Sequence, residues 1–230
     1  MPFNKKEISI IIGCRKEGEG IAQIIDSVKP YADEIIVVDG HSEDGTAEIA
    51  AAAGVQFYLD NRRGRGDALK IGITKATKPY LVFFDADGSH EANDIPSLVE
   101  PLITGSADMV IGSRLKGGCL DADLNGLGSV IRLAGSYFMV WLVNRRFKVN
   151  LTEILYSFRA LKRDKALKLK LRADNFAIEQ DMVVRCLKRN YKIVEIPSRE
   201  HARGWGEAKL KTSMGIDLLR VLIRDLYFSK

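Results

Sequence analysis

"LVFFDADGSH", residues 81–90, decides how this chain is read. An apolar run of strand type ends in two carboxylates one residue apart, Asp85 and Asp87, and Gly88 follows at once. A strand buried among apolar walls ordinarily ends in a neutral turn, because an unpaired carboxylate there is costly. Two of them at one strand end imply a cation. Alternate residues leaving an extended end point the same way, and Mg²⁺ or Mn²⁺ is typically held by one or two carboxylates plus substrate phosphates. The competing reading is a solvated loop with a helix-capping Asp. D-x-D is common by chance, so its position on a sheet carries the weight.

Upstream of this stretch the chain alternates strand and helix patterns at βαβ spacing. "ISIII" (8–12), "EIIVVD" (34–39) and "VQFYL" (55–59) read as strands, separated by helices over 20–28 and 44–54. In the latter, Asp44 is the expected N-cap and Gly54 the stop. "GDALKIGITKA" is a third helix before "YLVFFD", then come the helix "DIPSLVEPLI" and the strand "ADMVIGS". Continuous apolar runs mean strands covered on both faces, as in a parallel sheet. After residue 113 the rhythm breaks into a Gly- and Asp-rich loop (117–128) and a long helix over about 127–147. A strand running into a helix ("YSFRALKR"), the helix "EQDMVVRCLKRN", the strand "YKIVEIP" and a C-terminal amphipathic helix complete the chain. The expected fold is α/β: a mostly parallel central sheet with helices on both faces. Residues 1–113 form the half that binds a nucleotide, 114–212 the half that receives a second substrate, and 213–230 the terminal helix.

Composition narrows the partners. A length of 230 residues suits one large domain. The net charge of +5 favours anionic partners without choosing among them. The basic residues are dispersed and no nucleic-acid-binding module appears, which argues against nucleic acid. The three cysteines form no C-x-x-C, which points to a reducing compartment. The start carries no signal-peptide pattern, and no window reaches the roughly 18 apolar residues of a spanning helix. A cytoplasmic protein, or one lying on the cytoplasmic face of a membrane, is expected. Gly18-Glu-Gly20 with Asp39 downstream mimics a dinucleotide fingerprint, but Gln23 stands at the third glycine and D-A-D would go unexplained.

Two families have similar motifs. "FFDADGS" resembles the haloacid-dehalogenase nucleophile motif, which would make Asp85 a phosphorylated nucleophile with Ser113 in support. That motif opens its fold, whereas three βα units precede it here, and its later acidic pair is missing. The second resemblance, to family 2 glycosyltransferases of the GT-A fold, covers nearly the whole chain. "IIGCRKE" stands at the family's P-x-Y-N-E, with Glu17 matching, and "VVDGHSEDGT" is similar to V-D-D-G-S-x-D-G-T. "GRGDALKIGITKATKPYLVFFDAD" resembles the segment leading into the metal motif.

Within that family the polyprenyl-phosphate sugar transferases, such as dolichyl-phosphate mannose synthases, share more. "DADGSH" is similar to D-A-D-L-Q-H, and "IGSR" matches G-S-R at Arg114. Arg132 and Ser136 fall on R-x-x-x-S. "EILYSFRALKR" resembles D-x-T-S-G-F-R with Tyr156 and Ser157 in place of Ser-Gly, and "EIPSREHARGWGEAKL" supplies Arg203, Gly206 and Lys209.

The resemblance implies an inverting transfer of a hexose, from GDP-mannose first or UDP-glucose second, to a polyprenyl or dolichyl phosphate. It places Asp39 on the nucleotide base and Glu17 and Arg114 on the nucleotide sugar. Asp85 and Asp87 hold Mg²⁺ or Mn²⁺ on the diphosphate. Arg132 and Ser136 take the acceptor phosphate, and Asp87, Arg132, Arg203 and Lys209 form the catalytic set. The chemistry agrees, because a phosphate monoester, with second pKa about 6, is already ionised and wants cations rather than a base. A saccharide or protein hydroxyl acceptor would instead need a base, with Glu179 or Asp181 as candidates, although acids in a helix's first turn are common for dipole reasons alone. A lipid acceptor predicts membrane docking through Leu127, Ile131, Tyr137, Phe138, Trp141 and Leu142, or through Leu218, Leu219, Leu222, Ile223 and Leu226 of the last helix. Core packing, a homodimer contact or a membrane-protein partner would use the same faces.

Overall fold

A computed structural model describes residues 3–118, 127–206 and 214–228. Seven strands form one sheet: β1 (Ile8–Cys14), β2 (Glu34–Asp39), β3 (Gln56–Leu59), β4 (Tyr80–Asp85), β5 (Met109–Ser113), β6 (Arg159–Lys162) and β7 (Ile193–Pro197). Their order is β3-β2-β1-β4-β6-β5-β7. Only β6 runs against its neighbours β4 and β5; the other pairs are parallel. The carboxyl ends of six strands therefore share one edge with the start of β6.

The β-branched runs that mark β1 and β2 in the sequence suit strands buried on both faces, and their side chains alternate between two cores. Ile8, Ile10 and Ile12 join α1 (Ile21–Val28), α2 (Thr46–Ala52) and α4 (Ile95–Ile103) on one face. Ile11, Ile36 and Val38 join α3 (Arg65–Lys75), α5 (Leu127–Phe147), α7 (Ile178–Lys188) and α8 (Gly215–Tyr227) on the other, where α6 (Arg163–Lys168) also contributes. This is the layered α/β architecture expected.

Two local expectations change. Gly45, in a left-handed conformation, is the N-cap of α2, and Asp44 stands one residue earlier. Its carboxylate accepts the Thr46 hydroxyl at 2.5 Å and the Gly18 N–H at 2.9 Å, so it ties the first loop to the second. In α8, Leu218, Leu222 and Leu226 are buried against the core. Most of that helix's apolar stripe is thus committed to packing, while Ile216, Ile223, Tyr227 and Phe228 stay exposed.

Candidate active site

A cleft of about 940 Å³ runs along the carboxyl edge of the sheet. Asp85, the last residue of β4, and Asp87 on the following turn both line it. Phe83 pairs with Arg159 across the antiparallel β4–β6 ladder, and continuing that register brings Ser157 to the level of Asp85. Asp85 Oδ1 accepts from Arg65 Nη2 at 2.6 Å, and Oδ2 accepts from Ser157 Oγ at 2.6 Å. Burial, the largest single influence, would raise the Asp85 carboxyl, but the Arg65 guanidinium, the His90 ring and the hydrogen bonds from Ser157 and Arg65 together hold the group far below the usual carboxylate range. Arg65, first residue of α3, also reaches Glu179 Oε1 through Nε at 2.7 Å.

Asp87 is held differently. Its Oδ1 accepts the Ser89 N–H at 3.0 Å and hydroxyl at 2.6 Å, while Oδ2 accepts from Arg203 Nη1 at 2.5 Å. Arg203 also donates to Glu17 Oε1 at 3.3 Å. It belongs to a strap over residues 198–206 that lies across the Asp-Ala-Asp turn through backbone bonds His201 N–H to Ser89 O and Gly204 N–H to Asp87 O, both 2.9 Å. Trp205 donates to Ala86 O at 2.8 Å. Its ring fills the space a side chain on Gly20 would need, since a Cβ there would lie 1.8 Å from the indole. Gly88 has φ of 77° and approaches the same ring.

Glu17, Arg114, Arg132, Ser136 and Arg203 all line the same cleft as the two aspartates. Arg114 is already engaged there, donating to Glu153 at 2.9 Å and Glu200 at 3.0 Å. Asp39 is almost wholly buried and does not line the cleft. Its carboxylate caps the next turn by accepting the Ser42 N–H at 2.7 Å and hydroxyl at 2.5 Å, while Gly40 and His41 form the wall above it. Lys209 lies outside the described residues. Asp181 is fully buried, accepting from the Arg172 and Ala173 N–H groups and pairing with Arg185. Glu179 borders the cleft but carries Arg65. Ser113, the supporting hydroxyl of the phosphatase reading, is buried and bonded to Thr152 at 2.7 Å, with no contact to Asp85.

Sequence reasoning does not single out Arg65 or Trp205, and it meets Ser157 only as a departure from the resembled motif and His90 only as the end of "DADGSH". Arg65 carried a faint signal as a cation opening a helix between glycines, but its partners lie 20 and 114 residues away.

Among the described residues, no three His, Cys, Asp or Glu side chains gather to hold an ion by themselves. Two hard carboxylates on one turn do fit an ion whose coordination is completed by substrate phosphates. The buried Arg203 Nε has no protein partner among the described residues and is a donor left over beside Asp87.

A reversed sixth strand in an otherwise parallel sheet, with paired aspartates where β4 meets the cleft, is the arrangement expected of the GT-A glycosyltransferase fold. The glycosyl transferase family 2 model matches residues 9–165, and the chain belongs to that family of nucleotide-sugar-dependent enzymes. It is 32% identical to glycosyltransferase AglJ of Haloferax volcanii over 85% of this chain, spanning 63% of that relative's length. It is 28% identical to an uncharacterised glycosyltransferase of Mycobacterium tuberculosis, over 94% of each. Among solved structures it resembles glucosyl-3-phosphoglycerate synthase of M. tuberculosis in complex with Mn²⁺ and UDP-glucose. The TM-score is 0.75 at 21% identity, over 98% of this chain and 80% of that one. Family membership removes the haloacid-dehalogenase reading of Asp85.

Proposed function

We propose that this chain moves a hexose, with inversion, from a nucleotide-diphosphate sugar to a polyprenyl phosphate, GDP-mannose being the first donor to test and UDP-glucose the second. The observation that carries this is the division of α5. Arg132, Leu133, Ser136 and Tyr137 line the cleft. Ile131, Phe138 and Trp141 lie 54%, 47% and 52% exposed, with Phe138 stacked on Trp141. A phosphate head on the polar side with an apolar tail along the ridge fits both faces.

Asp85 and Asp87 would hold Mg²⁺ or Mn²⁺, which when bound neutralises charge developing on the leaving diphosphate. Arg203 then has a phosphate oxygen to exchange for Asp87, and the strap keeps water from the reacting centre. Arg132 and Ser136 would orient the acceptor phosphate. Glu179 and Asp181 are both committed elsewhere, which supports an acceptor that needs no base. Among the described residues no helix is long and apolar enough to cross a membrane. The exposed ridge, with Arg145 and Arg146 exposed on its last turn, instead suits docking on an anionic bilayer surface.

A hydroxyl-bearing phosphorylated acid is the second reading, since a solved structure of the same fold holds phosphoglyceric acid. The test is label transfer from GDP-mannose and UDP-glucose, with Mn²⁺ or Mg²⁺, to dolichyl phosphate. Organic-phase product, lost in Asp87→Ala, is expected. Label confined to a water-soluble product in the presence of phosphoglycerate overturns the lipid acceptor.

A further inference from the structure

His90 is an enclosed titratable group beside the cleft. Its side chain is wholly buried, with Phe84, Tyr156 and Phe158 around the ring at centroid distances of 5.1, 5.1 and 4.9 Å. The backbone N–H of Asp85 donates to its Nδ1 at 3.1 Å. A backbone amide can only donate, so Nδ1 carries no proton, and the neutral ring must carry its proton on Nε2.

Nε2 lies 3.1 Å from Ser157 Oγ, so it donates there, and Ser157 spends its own proton on Asp85 Oδ2 at 2.6 Å. The three bonds close a ring that starts at the main chain of Asp85 and returns to its carboxylate. Every donor direction in the ring follows from the first.

We propose that His90 and Ser157 are positioning residues for glycosyl transfer. They fix the carboxylate of Asp85 toward the metal-bound diphosphate and tie it to the loop that borders the acceptor side. With Oδ1 taken by Arg65 and Oδ2 by Ser157, rotation about the Asp85 side chain would break two charge-assisted bonds. The lone pairs that remain keep one direction. The loop carrying Ser157 is itself rigid. Glu153 Oε1 accepts the N–H groups of Ile154, Leu155 and Tyr156 at 3.0 to 3.1 Å, and buried Arg159 donates to the carbonyls of Ile154 and Tyr156. The hydroxyl thus transmits a fixed loop position to a donor-side carboxylate. In the motif this stretch resembles, glycine stands at the serine position, so the hydroxyl is a feature of this chain.

The inference rests on the family's use of a metal and a nucleoside diphosphate, and not on the lipid acceptor. The test is a Mn²⁺ titration followed by electron paramagnetic resonance, with UDP or GDP present and no acceptor. Failure of the lipid reading therefore leaves the result interpretable. Ser157→Ala is expected to weaken nucleotide-dependent Mn²⁺ binding by about 10- to 100-fold, the range for loss of a partner that orients a ligand. Ser157→Thr, which keeps the hydroxyl, should recover most of it. His90→Gln places an amide N–H where Nε2–H was and should fall between them. In turnover the loss should appear as a raised KM for the donor at fixed Mn²⁺, because metal and nucleotide binding are linked. Mn²⁺ binding by Ser157→Ala within about twofold of wild type, well below that range, overturns the proposal. So does an equal loss in Ala and Thr variants of unchanged melting temperature, because the hydroxyl would then not be the active element. If Ser157→Ala does not fold, wild-type Mn²⁺ affinity in His90→Ala decides against it and a loss decides for it.

Discussion

Replacing Arg65 with methionine removes one guanidinium from between two carboxylates while keeping much of its volume. The side chains of Arg65, Asp85 and Glu179 are 16%, 19% and 5% exposed, and the two bonds measure 2.6 and 2.7 Å. Breaking a buried pair by deleting one partner costs about 3–5 kcal/mol, because the other charge stays buried and uncompensated. Two orphaned carboxylates push toward the upper end and cleft water at Asp85 toward the lower, so about 3–4 kcal/mol is expected. Against a total stability of about 5–15 kcal/mol, the variant still folds.

The pH dependence gives the sharper test. The folded-state pKa of Asp85 is depressed, so its contribution is present above the unfolded value of about 3.9 and is lost as pH falls through the folded one. Without Arg65 this carboxyl loses its largest lowering partner and moves up, so the variant's deficit shrinks on acidification as the group takes a proton. Urea unfolding at about pH 7.5 and about pH 5 measures both deficits. A neutral-pH deficit below about 1 kcal/mol, or one of equal size at both pH values, would refute the reasoning.

Three further outcomes are expected. Gly20→Ala drives a Cβ into Trp205, so the strap should lift from the Asp-Ala-Asp turn. In a Trp141→Phe background, Trp205 emission should shift to the red, and an unshifted spectrum would mean the strap is not seated there. Phe138→Asp with Trp141→Asp should reduce co-sedimentation with anionic vesicles by at least about tenfold, since each change removes an interfacial aromatic and adds a charge; undiminished binding assigns membrane contact elsewhere. Glu34, buried between Ser9, Gln56 and Thr77, has its carboxyl held low by those hydrogen bonds despite burial. Glu34→Gln should cost about 1–3 kcal/mol at neutral pH, measured by denaturant unfolding, and progressively less as pH falls below about 4.3, where the wild-type contribution is itself lost.

The contrast between α5 and α8 shows where sequence reasoning stopped. Both helices carry broad apolar faces, and periodicity treats them alike. In the fold α8 lays Leu218, Leu222 and Leu226 on the core, while α5 leaves Ile131, Phe138 and Trp141 outside. Which apolar face is covered depends on what stands opposite, and that is a property of the assembled chain. Asp39 makes the same point among polar groups. Its place at the end of β2 was legible, but its carboxylate is spent on the Ser42 turn below the cleft.

The sequence alone determined the local elements and the place of the paired acids. Period-2 and period-3.6 patterning acts over a few residues, so "EIIVVD" and "YLVFFD" gave β2 and β4 with the bounds observed, and the long helix lies over 127–147 as expected. The order of the motifs placed Asp85, Asp87, Arg132 and Arg203 in one site, and the cleft contains all four. Only the tertiary structure decided the reversal of β6, and with it the pairing of Asp85 with a hydroxyl 72 residues away and a guanidinium 20 residues away. Hydrogen bonds and ion pairs of that kind are set by strand order and loop packing, and no local pattern along the chain encodes either.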